Sequence, residues 1–193
     1  PEFERIDFEV PGDDLAVAPF MDVFVCPAAD LSKEGPELSF VLNTGLPDDP
    51  RVFPRDWPQN GVFLDLRPAA DGTPAPINSS MQLTSGDGAA NTLMLLENLQ
   101  AGWWTSTMET EVGCVWHPKY RRDSLAQMNS EPPDDAPSDP YRLVRPSSNH
   151  WGSVNVAFCD SHVRTLSDEI DYLVYAALMT SNGQRAALPG RQD

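Results

Sequence analysis

Six residues near the C-terminal end, Ser153-Val154-Asn155-Val156-Ala157-Phe158, alternate large apolar side chains with smaller or polar ones. A period of two puts Val154, Val156 and Phe158 on one face of a strand and Asn155, Ala157 and Cys159 on the other. Asp160-Ser161 follows as a two-residue connection and His162 to Leu166 returns, so the stretch reads as a hairpin with one face in a core. A two-residue turn of this kind needs a positive φ at its second position, where serine fits less well than glycine.

Other segments carry the same kind of signal. Met21 to Cys26 alternates and ends at Pro27, which reads as a short strand. Leu38 to Asn43, Gly61 to Leu66 and Glu111 to Trp116 are three more strand candidates, and Met81-Gln82-Leu83 is a short extended piece. Asn91 to Asn98 is a continuous apolar run whose periodicity cannot separate strand from helix; we read a brief helical turn near Gly88–Thr92 and then a buried strand. Lys119 to Pro140 reads as loop, and its acidic, proline-rich part from Glu131 has no apolar anchor beyond alanine and is expected to be mobile. After the hairpin, Ser167 is a plausible N-cap with Asp168 and Glu169 in the first turn. Ile170, Leu173, Val174, Ala177 and Leu178 then follow helical spacing, and Gly183 is a natural stop.

The class implied is α+β. The 19 prolines and 12 glycines among 193 residues suggest many turns and long loops and argue against an all-helical bundle. The length suits one domain: an irregular acidic segment at 1–20, a globular domain at 21–183 and a tail at 184–193. The formal net charge of −16 repels nucleic-acid phosphates and anionic membrane surfaces, and no basic stripe offsets it. The same charge attracts divalent cations. No run of about 18 apolar residues is present to span a bilayer. The chain opens at Pro1-Glu2-Phe3 without a signal-peptide pattern and reads as a fragment or processed form. Three cysteines, Cys26, Cys114 and Cys159, give no clean disulfide framework; one bridge plus a free thiol and three reduced, buried thiols are both open.

Four blocks, in order, resemble a bacterial prepilin-type surface-protein family. Val23-Phe24-Val25-Cys26-Pro27 is similar to its Cys-Pro segment, and Asn60-Gly61-Val62-Phe63 to its Asn-Gly-Val-Phe strand. Asp87-Gly88-Ala89-Ala90-Asn91-Thr92 with Glu97 downstream is similar to its Asp-Gly-x-Ser-Asn-Thr block. His150 to Asp160 and the following helix resemble its C-terminal signature of His, nine residues and Asp-Gly. Ala90 and Ser161 depart from the family's serine and glycine. The resemblance implies a pilin-like or pseudopilin-like head: an antiparallel sheet with long loops and a C-terminal helix, the N-terminal hydrophobic helix lying outside this chain. It implies a non-enzymatic surface or type II secretion component in the cell envelope, on its periplasmic or extracellular face. Copies of itself or other pilin-like subunits would be the partners, joined through that helix, which would also be the only contact with the membrane. A secreted module binding sugar or peptide is the alternative, and a hydrolase comes third.

Four sets of residues carry candidate chemistry. His150 and Asp160 could form a base and its orienting acid, but no nucleophile partners them. We read them as a clasp, His150 securing the hairpin entry and Asp160 making its turn. Asp87, Asn91 and Glu97 read as backbone-satisfying groups. Related pseudopilin heads often hold calcium in a loop, so calcium is the cofactor to consider here, although no EF-hand pattern is present. Cys114-Val115-Trp116-His117 and Cys159-Asp160-Ser161-His162 each read Cys, two residues, His; four such ligands suit tetrahedral zinc, while strand alternation makes the cysteines core residues. A Cys114–Cys159 disulfide is a further option. Trp57, Trp103, Trp104, Trp116 and Trp151 are core or loop anchors, or a glycan platform if exposed.

Overall fold

The computed structural model describes residues 18–32, 34–47, 58–64 and 86–186. It is α+β. Five strands form one sheet: β1 Phe40–Gly45, β2 Leu93–Glu97, β3 Gly113–Val115, β4 Ser153–Phe158 and β5 Val163–Ser167, in the order β3-β1-β2-β4-β5. Helix α1 (Glu109–Val112) is a single turn ahead of β3, and helix α2 (Tyr172–Met179) follows β5. Pairs β1–β2, β2–β4 and β4–β5 are antiparallel, but β3 lies parallel to β1, so the sheet is mixed rather than antiparallel throughout.

The alternation in β4 does what its period demands. Val154, Val156 and Phe158 are buried, while Asn155 and Ala157 are half-buried on the other face. Fully burying a side chain of this size stabilises by about 1.5–3 kcal/mol, so three in register hold the strand's facing. The apolar run at 91–98 resolves as read above: a 3₁₀ turn at Ala89–Asn91 leads into β2, where Leu93 and Leu96 are buried.

The hairpin turn is one residue longer than the two-residue reading. Ser161 N–H donates to Phe158 O at 2.9 Å, and Ser161 itself has φ 73°. This is the pattern of a three-residue hairpin loop, a tight turn followed by a left-handed residue. The positive φ does fall on Ser161, as expected.

Helix α2 forms later and turns a different face inward than the 170/173/174/177/178 spacing implied. Its N-cap is Asp171, whose side chain accepts from Leu173 N–H at 2.8 Å; Ser167 is the last residue of β5. Tyr172, Tyr175, Ala176 and Met179 are buried, while Val174 is half exposed. The tyrosines win the inner face because their hydroxyls have backbone partners there. Tyr175 donates to Val115 O at 2.9 Å, and Tyr172 accepts from His117 N–H at 3.0 Å. A buried phenol with a partner keeps its apolar ring in the core without a stranded hydroxyl. The helix ends at Met179, so Gly183 is not its stop.

Three other expectations change. Asp22–Phe24 is a 3₁₀ turn, not part of a strand. Gly61–Leu64 shows bends without a ladder, and residues 65–66 lie outside the described part, as do Met81–Leu83, Trp57 and most of the 1–20 and 184–193 segments. The stretch from Lys119 to Pro140 holds short 3₁₀ turns at Pro118–Arg122 and Ser124–Ala126. Buried Arg145 ties that stretch down: its Nε donates to Leu125 O and Ser130 Oγ, each at 2.7 Å, and its Nη1 to Gln100 Oε1 at 2.8 Å.

Buried Asn43 in β1 knits sheet to helix, its amide donating to Leu93 O and Met179 O, both at 2.7 Å. Beside it, Gly45 has φ 90°, and a Cβ on Gly61 would lie 2.7 Å from Gly45 Cα. The Asn-Gly-Val-Phe block therefore sits against the end of β1, with Asn43 O accepting from Phe63 N–H at 2.9 Å and Asn60 O accepting from Trp116 Nε1 at 2.8 Å.

Candidate functional site

Three segments far apart in sequence meet at one end of the β1–β2 pair. The first leaves the 3₁₀ turn at Asp22–Phe24. Phe24 O accepts from Ser39 N–H at 2.9 Å and Cys26 N–H donates to Ser39 Oγ at 2.7 Å, which lays Cys26 beside the start of β1. The second is the end of β2, where Glu97 pairs with Phe40. The third is the entry to β4, where Ser147 N–H donates to Glu97 O at 2.9 Å and His150 N–H donates to Ser148 Oγ at 3.1 Å.

Cys26 Sγ, one Glu97 oxygen and a ring nitrogen of His150 all lie within 4.8 Å of one another. Cys26 Sγ is 3.4 Å from His150 Nε2, and Glu97 Oε1 is 3.3 Å from the same nitrogen. Glu97 is 1% exposed and Cys26 is buried, whereas the His150 side chain is 36% exposed and faces solvent on one side. The carboxylate is anchored from behind: Asn155 N–H donates to Oε2 at 2.8 Å and Asn155 Nδ2 to Oε1 at 3.3 Å.

This arrangement is not a nucleophile–base–acid relay. In such a relay the base takes the nucleophile's proton on one ring nitrogen and is oriented through the other. Here thiol and carboxylate crowd a single nitrogen. Burial, with the Glu97 carboxylate beside it, pushes the Cys26 thiol up, the opposite of what an activated cysteine needs. The nearby serines are spent on structure: Ser148 Oγ donates to Ser153 O at 2.7 Å and Ser147 Oγ to Asn98 Oδ1 at 3.2 Å.

The expected sets are distributed differently. His150 and Asp160 stand at opposite ends of β4 and do not touch. Asp160 Oδ1 accepts from His162 N–H at 3.2 Å and lies 2.5 Å from His162 Nδ1. The His150 ring meets Glu97 and Cys26 instead.

Asp87 and Asn91 sit before β2, and Glu97 ends it, about 13 Å beyond the strand's first residue, Leu93. The three share no site. Asp87 Oδ2 accepts from Gly183 N–H at 2.5 Å and from Thr180 Oγ1 at 3.2 Å, while Asn91 Nδ2 donates to Asp87 O at 2.9 Å. These bonds tie the chain after α2 to the turn before β2.

The two Cys-x-x-His pairs do not converge either. Cys114 is on β3, an edge strand, and Cys159 follows β4, with β1 and β2 between. Cys114 Sγ lies 3.4 Å from Tyr175 Oη, and burial pushes its thiol up to about 12. Burial likewise raises Cys159, to about 11. His117 Nδ1 accepts from Lys119 N–H at 3.0 Å, and the His162 ring stacks on Phe158 with centroids 4.3 Å apart. All three cysteines are free, so no Cys114–Cys159 bridge forms.

Among the tryptophans, Trp116 is buried, Trp103 is 45% exposed and Trp151, next to His150, is fully exposed. Cys26 was the residue the sequence alone could not place in the site. Its Cys-Pro block drew notice, but no spacing links it to Glu97 or His150.

Residues 3–173 match the model of a family described as "Protein of unknown function (DUF1559)", and since that is most of the chain, the protein belongs to this family. The family is associated with bacterial surface proteins. No curated protein and no solved structure matches the chain.

Proposed function

We propose that this chain is the head of a pilin-like, non-enzymatic component of the bacterial cell envelope, assembling with like subunits through a hydrophobic helix outside the chain. The observation that carries the reading is the use made of its polar centre. Cys26, Glu97, His150, Ser147 and Ser148 are bound to one another and to backbone groups. They clasp the segment before β1, the end of β2 and the entry to β4 into one unit. A head that transmits load or packs in a filament needs such a clasp, and a hydrolase needs a free nucleophile instead. Membership of a surface-associated family supports the same reading. No helix among the described residues is long and apolar enough to cross a membrane.

The test is the N-terminus of the full-length protein and its behaviour in the cell. A leader followed by about 20 apolar residues, retention in the envelope fraction and cross-linking to like subunits are expected. A cleavable signal peptide that releases the chain to the medium would overturn the proposal. The alternative, a secreted module binding sugar or peptide, has the exposed rings of Trp151 and Trp103 in its favour. It predicts quenching or shift of tryptophan fluorescence on titration with oligosaccharide, lost in Trp151→Ala.

A further inference from the structure

We propose that Cys26, Glu97 and His150 form a binding site for one divalent transition-metal ion of the zinc class. The site uses residues of the proposed clasp, with the ion as its centre, and a metal titration reads it whatever the head assembles with.

The first argument is spacing. Bonds of about 2.3 Å to sulfur and 2.0–2.2 Å to nitrogen and oxygen around a tetrahedral ion place neighbouring ligand atoms roughly 3.3–3.6 Å apart. Cys26 Sγ to His150 Nε2 is 3.4 Å and His150 Nε2 to Glu97 Oε1 is 3.3 Å. Two edges of such a polyhedron are thus already in place, and the third, from Cys26 Sγ to the Glu97 carboxylate, is within 4.8 Å and closes by a small side-chain rotation.

The second argument is valence at one atom. His150 Nε2 faces both the thiol and the carboxylate. If the nitrogen carries a proton, that proton is divided between two acceptors. If it is bare, it accepts from the weakly donating Cys26 thiol while its lone pair also faces the carboxylate oxygen. A cation between the three atoms satisfies the nitrogen lone pair, the sulfur and the oxygen at once.

The third argument is charge. Glu97 is 1% exposed, and among the described residues the His150 ring is its ion-pair partner. A buried carboxylate is costly without a full compensating charge, and a divalent ion supplies it.

The surroundings meet the requirements of a metal site. Asn155 orients the carboxylate with two donors, Ser39 fixes the Cys26 backbone and Ser148 fixes that of His150. Ligands held this way bind metals more tightly than free ones. The exposed side of His150 gives a route in and a place for water as fourth ligand. Mixed sulfur, nitrogen and oxygen donors favour zinc, or cobalt(II) as its spectroscopic stand-in, over calcium, which takes six to eight oxygens.

The experiment is titration of the chelator-treated full chain with cobalt(II), then zinc(II), read by absorption and by metal analysis. The expected result is one equivalent bound, a thiolate-to-cobalt charge-transfer band, the visible bands of tetrahedral cobalt and their displacement by zinc. Cys26→Ser should abolish the charge-transfer band, and His150→Gln, at a half-exposed position, should weaken binding more than about tenfold. Cys159→Ser should leave both unchanged. Absence of a charge-transfer band in the wild-type chain overturns the proposal, and so does a band that persists in Cys26→Ser. Because the wild-type titration alone can refute it, a variant that fails to fold does not shield the proposal.

Discussion

Gly45 and Gly61 lie against each other so closely that a Cβ on Gly61 would sit 2.7 Å from Gly45 Cα and N, and one on Gly45 would sit 2.9 Å from Gly61 N. Each is pressed by backbone, which cannot swing aside as a flexible side chain can. Gly61→Ala should therefore cost about 2 kcal/mol or more, as overpacked sites do. Gly45→Ala should cost more still, because φ 90° adds conformational strain to the clash. Urea unfolding of the two variants checks this, and a loss below about 0.5 kcal/mol for both would show that the two segments can part freely.

Arg145 is a buried cation that donates to neutral acceptors on Leu125, Ser130 and Gln100. Burial lowers its pKa. Arg145→Met fills much of the volume but strands several acceptors, each costing about 1–3 kcal/mol when buried. We expect a net loss of about 2–4 kcal/mol and faster proteolysis between Ser124 and Ser130, read by limited digestion. A variant as stable as wild type would mean that water takes over those acceptors.

Asp123 supplies the pH dependence. Its Oδ1 lies 2.6 Å from Arg142 Nη2, and this hydrogen bond holds the carboxyl below the usual carboxylate range. A depressed native pKa means that the unfolded chain binds the proton more readily. The stabilisation is therefore complete above the unfolded pKa and disappears as pH falls through the lower, folded one. The difference in unfolding free energy between wild type and Asp123→Asn should stay constant near neutrality and shrink below about pH 4. A gap that stays the same down to about pH 2 would sink the assignment.

The β4–β5 turn gives two opposite shifts. Ser161 holds φ 73°, so Ser161→Gly should stabilise by about 0.5–1 kcal/mol. Asp160 accepts from His162 N–H and contacts its ring, so Asp160→Ala should lower the midpoint of thermal unfolding. Calorimetry of both variants decides. An unchanged midpoint in Asp160→Ala would refute its role in the turn.

What could be read from sequence divides along a physical line. β4 and the turn before β2 were legible because their signals are local: alternation at Val154, Val156 and Phe158, and a turn sequence ahead of Leu93. Apolar character alone does not pick out the inner face of α2. Tyr172 and Tyr175 outrank Leu173 and Val174 inside, since each hydroxyl has a backbone partner on or just after β3. The parallel pairing of β3 with β1 depends on the path of a connection that no strand pattern encodes. The site was half legible. Sequence spacing links Glu97 to Asp87 and His150 to Asp160, whereas the folded chain brings both to Cys26. Residues 124 positions apart, as Cys26 and His150 are, leave no spacing to read.

His150 and Asp160 are fixed at either end of β4, one by the Glu97–Cys26 group and the other by its own turn. The interval between them is thus a gauge cut to the width of the sheet. Inserting one residue would turn Val154, Val156 and Phe158 outward while leaving the two anchors in place. Inserting two would preserve the faces but carry the turn about 7 Å beyond its present end, past the pairing of Phe158 with Leu93. Substitutions along the strand can be absorbed one side chain at a time, whereas a change in its count of residues sets the two ends against each other.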